Sequence, residues 1–349
     1  MRFDDSFHLV SDPIRRPQDI LASLISPIGS LIDKVNVGVY SLFIRGVTLD
    51  EIYAKDECNT KQFLENRGLS SAMIDRFFSP FYQGIFLSPL KFQSSRMFEF
   101  VFKMFTQGAA SLPENGMGAI GRQLADGLPI TYNTVAKKLD IGLVQTTDAD
   151  GKALNYRCET VIVATDPPSA ARLLQGVEGV NAEALLIPEA RGSLTLYFGI
   201  DGTPPVKDPI LILNGENNIE ADKPSPVLHK INNVCFPSQI SRAYAPEGKT
   251  LASVTVIGTA VGAEDSEVET AVRAQLLQWW GDQVDQWKLL KIYRIPYAQP
   301  AQTPPYAILG QPVQLTDNLF ICGDHRGTAT LNGAIESGRY AARSALGFL

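Results

Sequence analysis

Leu319-Phe320-Ile321-Cys322-Gly323-Asp324, followed nine residues later by Gly333-Ala334-Ile335-Glu336-Ser337-Gly338-Arg339, is the stretch on which the reading of this chain turns. Four consecutive apolar residues predict a strand buried on both faces, which stops at the acidic Asp324. A short loop then leads into a helix whose first turn holds small residues. A carboxylate at a strand's C-terminal end can accept hydrogen bonds from sugar hydroxyls, and an uncrowded helix start offers N–H groups that the helix itself does not use. The two together suit a nucleotide cofactor. The competing reading is a turn aspartate at a strand end, with Gly333 and Gly338 serving only close helix packing.

Moving outward, Val161-Ile162-Val163-Ala164-Thr165 is a second run apolar on both faces and predicts another buried parallel strand, ended by Asp166-Pro167-Pro168, with Ser169 as cap of the next helix. Before it come short strands at 130–139 and 141–146 and the turn Asp150-Gly151. Residues 1 to about 110 read as helical, at 18–24, 28–43, 50–53, 59–66 and 71–78, punctuated by Gly46, Gly68 and Pro80. Phe77, Phe78, Phe81, Tyr82, Phe86, Phe92, Phe98, Phe100, Phe102 and Phe105 crowd the same region. They could line an apolar channel, but each by itself is more simply a core residue. Strands at 193–200, 210–213, 227–236 and 251–258 predict an antiparallel sheet, followed by a helix at 264–287 and a strand at 289–295.

Gly116-Met117-Gly118-Ala119-Ile120-Gly121 spells a dinucleotide fingerprint, yet Ser111-Leu112-Pro113-Glu114-Asn115 ahead of it cannot be the buried strand that gives the motif its meaning. It is read as a decoy.

Composition narrows the function. In 349 residues, a formal charge of -6 and pI near 5.2 without a Lys/Arg-rich run argue against nucleic-acid binding. Four scattered cysteines and three histidines form no zinc or disulfide pattern, which suggests a reducing compartment. No apolar stretch reaches the ~20 residues of a membrane span, so a cytoplasmic protein is expected, with peripheral membrane contact left open. No Ser/His/Asp arrangement or paired-carboxylate signature points to hydrolysis.

The 319–339 block resembles the C-terminal FAD signature of the flavin amine oxidase and phytoene desaturase superfamily, and weaker likeness extends in pieces over most of the chain, including Val10-Ser11-Asp12-Pro13 with Arg15-Arg16-Pro17. The resemblance implies FAD as cofactor. Gly323 and Asp324 would meet its ribityl or pyrophosphate part, and Leu331, Asn332, Gly333 and Ala334 would form the helix start facing the flavin's pyrimidine edge. Val135, after Ile130-Thr131-Tyr132-Asn133-Thr134, would lay its backbone on the adenine, and the strand ending near Thr165 would run past the nucleotide. Tyr293, Arg294 and Tyr297 are weaker candidates for substrate contact, and His325 departs from the family pattern. Relatives also begin with a glycine fingerprint that nothing before residue 110 matches. That lobe is expected to precede Met1 in the natural protein, with a separate polypeptide or outright loss as alternatives.

The expected fold is therefore α/β plus antiparallel β. A partial, Rossmann-like FAD/NAD(P)-binding domain would be assembled from 113–175 and 312–349, and a mixed helical and antiparallel-sheet substrate domain from 1–112 and 176–311. The expected function is FAD-dependent oxidation of a small apolar or amine substrate. The rival is a non-catalytic relative that binds an apolar ligand or a protein partner without FAD.

Overall fold

The computed structural model describes residues 1–11, 15–140, 142–185, 191–216, 231–258, 262–306 and 311–348. In chain order the elements are β1 (Arg2–Phe3), β2 (Ser6–Phe7), α1 (Ile20–Ile25), α2 (Leu31–Gly46), α3 (Leu49–Ala54), α4 (Thr60–Asn66), α5 (Ser71–Met73), α6 (Ser79–Phe86), α7 (Ser95–Gln107), α8 (Gly118–Ala125), β3 (Val135–Asp140), β4 (Leu143–Thr147), β5 (Ala153–Arg157), β6 (Val161–Val163) and α9 (Pro167–Leu174). Then follow β7 (Arg191–Asp201), β8 (Ile212–Leu213), β9 (Ile231–Cys235), α10 (Pro237–Ile240), β10 (Lys249–Ile257), α11 (Asp265–Trp280), β11 (Lys288–Gln299), β12 (Gln314–Thr316), β13 (Leu319–Ile321) and α12 (Leu331–Phe348). They fall into two compact units, one of Met1–Gly121, Arg191–Ala298 and Gln302–Pro305, the other of Arg122–Ala190, Gln299–Ala301 and Tyr306–Leu349.

In the first unit a five-stranded sheet runs in the order β11-β7-β10-β9-β8. Along β7, Leu194, Leu196, Phe198 and Ile200 point to one face and are buried. They join the cluster formed by Val268, Val272 and Leu276, which recur every four residues along α11 and are each 0% exposed. Burying each such side chain contributes about 1.5–3 kcal/mol. The helical layer of this unit is held by rings: Tyr82 lies 4.6 Å and Phe102 5.6 Å from Phe98, centroid to centroid. Gly84 lets the helical layer reach the sheet, because a Cβ there would fall 2.4 Å from Asn232 Oδ1, while Asn232 Nδ2 donates to Pro80 O at 3.0 Å.

In the second unit β13 pairs in parallel with β6 and antiparallel with β12, and β3-β4-β5 form an antiparallel meander. β13 is covered on both sides. Leu319 and Ile321 pack with Ala170, Ala171 and Leu174 of α9, whereas Phe320 and Cys322 pack with Ala341 and Ala345 of α12. Alternate residues of a strand leave on opposite faces, so burial of both faces needs an unbroken apolar run.

Several expectations need correction. Ile162 is 39% exposed, and β6 is an edge strand among the described residues, so this run is not buried on both faces. Asp166, not Ser169, caps α9, its Oδ1 accepting from the Ser169 N–H at 2.7 Å. The strand expected at 130–139 starts only at Val135, and a further strand, β5, pairs with β4. The helix expected at 264–287 ends at Trp280, where Gly281 takes φ +70 and a 3-10 turn follows. Helix α7 was not foreseen. The strand expected at 227–236 lies partly, and Asp12-Pro13 wholly, outside the described residues. The fingerprint-like glycines do not follow a strand among the described residues, and a Cβ on Gly116 or Gly121 would meet nothing within 4 Å, so no close backbone approach explains them.

Candidate functional site

The site is built where β13 ends and α12 begins. The ladder to β6 runs one residue past the strand, Cys322 N–H donating to Val163 O at 3.0 Å. Gly323 follows with φ +151, and a Cβ on it would lie 2.6 Å from the His325 ring. A side chain has no room there. Asp324 then opens a 3-10 turn through Arg326, whose N–H donates to Gly323 O at 3.1 Å.

Helix α12 is started by Thr330, whose Oγ1 accepts from the Gly333 N–H at 3.0 Å while its carbonyl accepts from the Ala334 N–H at 3.0 Å. Among the described residues these are the bonds made at this end, so the N–H groups of Leu331 and Asn332 remain for another acceptor. Gly333 is required by packing, since a methyl there would land 1.9 Å from Thr328 O. Ser337, 5% exposed, staples the two elements together: its Oγ accepts from the Gly323 N–H at 3.0 Å and can donate to Gly323 O or Ala334 O, each at 2.9 Å.

The charges at this corner are poorly solvated. Burial pushes the Asp324 carboxyl above its ordinary range, although the N–H groups of His325 and of Asp324 itself pull the other way. Burial and then the neighbouring Arg326 charge bring the His325 imidazole down to about 4, with Asp166 opposing. Burial also lowers the Arg326 guanidinium. His325 Nδ1 stands 3.9 Å from Asp324 Oδ1, too far for a hydrogen bond. Among the described residues, both ring nitrogens of His325 and Nε and Nη2 of Arg326 are buried without a hydrogen-bond partner. Tyr306 donates to Gly327 O at 3.0 Å, and its hydroxyl is held protonated by burial and by the Asp324 charge.

Unsatisfied buried polar atoms cost about 1–3 kcal/mol each, so a cluster of them calls for a ligand. One carboxylate acceptor, the guanidinium and imidazole nitrogens and an open helix start together fit a group that carries both hydroxyls and anionic phosphate oxygens. The model for flavin-containing amine oxidoreductases matches residues 14–346. The chain belongs to that family. It is an oxidoreductase, and FAD is its cofactor. No curated protein matches the sequence. Solved structures similar in fold include an oxidoreductase from Methanosarcina mazei, at 15% identity over 90% of this chain and 73% of that one with a TM-score of 0.65. Reduced UDP-galactopyranose mutase is similar at 14% identity, 91% and 73% coverage and a TM-score of 0.60. Putrescine oxidase bound to putrescine is similar at 13% identity, 89% and 75% coverage and a TM-score of 0.58.

In this oxidoreductase, Gly323, Asp324, Leu331, Asn332, Gly333 and Ala334 gather at the one corner. Thr165 follows the end of β6, whose register pairs Val163 with Ile321, so it lies beside the same strand ends. Val135 stands apart: it opens β3, is 55% exposed, and among the described residues no hydrogen bond ties it to β13 or α12. Arg294 is held by Asp265 at 2.7 Å, and Tyr293 packs edge-on to Tyr197, so these two serve the first unit's sheet and its helix α11. Sequence reading passed over Arg326, Tyr306 and Ser337. Ser337 and Arg326 were within sight, inside or beside the decisive stretch, but only burial distinguishes them from surface polar residues.

Proposed function

We propose that this flavin oxidoreductase removes hydride from an apolar or amine substrate, with FAD held by the segments 113–175 and 312–349 and the substrate by 1–112 and 176–311. The observation that carries this reading is the corner of half-buried Asp324 with the unpartnered His325 and Arg326 nitrogens beside the α12 start. When bound, FAD supplies the electron-accepting chemistry.

The chain's own residues then have separate tasks. Asp324 accepts hydrogen bonds from ribityl hydroxyls, and Arg326 with His325 faces phosphate oxygen. Leu331 and Asn332 present N–H groups at a helix end that carries about half a positive charge, which favours negative charge on the bound ring. Ser337 and Gly333 keep that end in place. Thr165 and Val135 are assigned to the nucleotide's flank and adenine. An apolar substrate is favoured by the aromatic first unit, and putrescine oxidase among the similar folds keeps an amine in view. Leu21, Ile25, Leu31, Ile32, Val35 and Val39, all exposed on α1 and α2, support peripheral membrane contact, although among the described residues no helix is long and apolar enough to cross a membrane.

The test is optical. Purified protein is expected to show flavin absorption that an apolar donor or putrescine bleaches without oxygen. Colourless protein that takes up no added FAD would refute the reading.

A further inference from the structure

The first unit holds a cavity of about 500 Å³ among α2, α4, α7 and the turn just before α6, within the size range of small-molecule sites. Its walls are Tyr40, Phe43, Phe78, Phe98 and Phe102, with Arg67 among them. Phe78 and Phe98 are buried, whereas Phe43 is 56% exposed and Val39, also in the lining, 62% exposed. The hollow thus has an apolar interior and an apolar rim open to solvent.

Arg67 is placed by the way α4 stops. Gly68 takes φ +76 and donates to Glu65 O at 2.9 Å, and Leu69 N–H reaches back to Leu64 O at 3.3 Å, which is the paired hydrogen-bond pattern of a left-handed helix stop. That turn leaves Arg67 as the cap residue, with its guanidinium 3.8 Å from the Tyr40 ring centroid and 4.5 Å from that of Phe63. A guanidinium stacked by its faces keeps its N–H groups at the edges, where a planar oxyanion can meet them.

Among the described residues the carboxylate that pairs with Arg67 is that of Glu99, and it stays beyond hydrogen-bond reach. Glu99, 1% exposed, accepts from the Tyr40 hydroxyl and from Lys55 Nζ at 2.6 Å, while Arg67 Nη2 stays 3.8 Å away. Among the described residues the Arg67 guanidinium donates no hydrogen bond. Lys55 also stands 5.9 Å from the Phe43 ring, so two cations face one carboxylate around the cavity. An ammonium ligand is repelled by that balance, and an anion is drawn in.

We propose that this cavity binds an apolar molecule carrying one carboxylate, its hydrocarbon part on Phe78, Phe98 and Phe102 and its carboxylate on the edge of Arg67. The site does not depend on the flavin reading, because a chain unable to hold FAD would still bind such a ligand.

Three fluorescent probes with the same ring system test it: pyrenebutyrate, pyrenebutanol and pyrenebutylamine, titrated into the full chain. The butyrate is expected to bind roughly ten- to a hundredfold more tightly than the alcohol, with the amine weakest. Arg67→Met should erase the preference for butyrate over alcohol, and Val39→Trp, which fills the mouth, should weaken all three. Dodecanoate competing for the butyrate site would show that a flexible chain is accepted; failure to compete would restrict the ligand to flat ring systems. Equal binding of the three probes to the unmodified protein would overturn the proposal, whether or not the variants fold. An unchanged head-group preference in folded Arg67→Met would overturn it too.

Discussion

Asp33 and Asp324 are both carboxylates withdrawn from water, and they move to opposite sides of their ordinary pKa. Burial disfavours ionisation of Asp33, yet four donors outweigh it: the Ser70 N–H and the Ser30 and Ser70 hydroxyls, with the Ser30 N–H, each at 2.7 Å, hold its carboxyl down at about 2. Asp324 receives only nearby backbone N–H groups, and burial wins. The first carboxylate is saturated by protein. The second is left with unfilled capacity, among buried nitrogens that also lack partners. A saturated acid joins secondary structure, here the starts of α2 and α5, whereas an unsaturated one waits for a ligand.

The sharpest way to break this contrast is Asp33→Ala. It removes a carboxylate that is itself 2% exposed and leaves its four Ser30 and Ser70 donors without their acceptor, which should lower unfolding free energy by about 3 kcal/mol, read as a shift of the denaturant midpoint, without altering FAD uptake by the folded fraction. Loss of FAD binding with unchanged stability would reverse the roles of the two acids.

Acid titration gives the next largest effect. His325 titrates near 4 when folded and 6.5 when unfolded, so the unfolded chain binds the extra proton first and stability falls as pH drops from 6.5 to 4. The loss should be on the order of 3 kcal/mol, and His325→Gln should flatten it. Asp33 acts lower: its contribution, present above 3.8, disappears as pH falls toward 2. A profile that is flat from 6.5 to 4 in the parent protein would place His325 in water.

The smallest effect is expected from Asp324→Asn. With no saturating partners to lose, thermal stability without cofactor should stay within about 1 kcal/mol of the parent. A fall as large as that of Asp33→Ala would make Asp324 a structural residue.

How legible these features were follows from where their partners lie. The end of β13 and the start of α12 could be read because strand, glycine, carboxylate and helix are consecutive and each has a local physical cause. Asp33 could not be read as a joint, since Ser70 is 37 residues away. Helix α7 was hidden by Phe98, Phe100 and Phe102, whose spacing of two imitates a strand, and by Glu99 and Lys103, charged residues that the fold nevertheless buries. Ile162 misled because an edge strand can be as apolar in sequence as a central one. Arg67 joined the cavity only through the left-handed Gly68 turn, a geometry that sequence suggests but does not aim.

The central claim is that the corner at Asp324 holds FAD. It is tested most directly by titrating FAD into the parent chain and into Asp324→Ala while following quenching of flavin fluorescence, with melting curves in parallel. The account predicts saturable binding that weakens about ten- to a hundredfold in Asp324→Ala at unchanged cofactor-free melting temperature. Equal FAD affinity in the two proteins would contradict it.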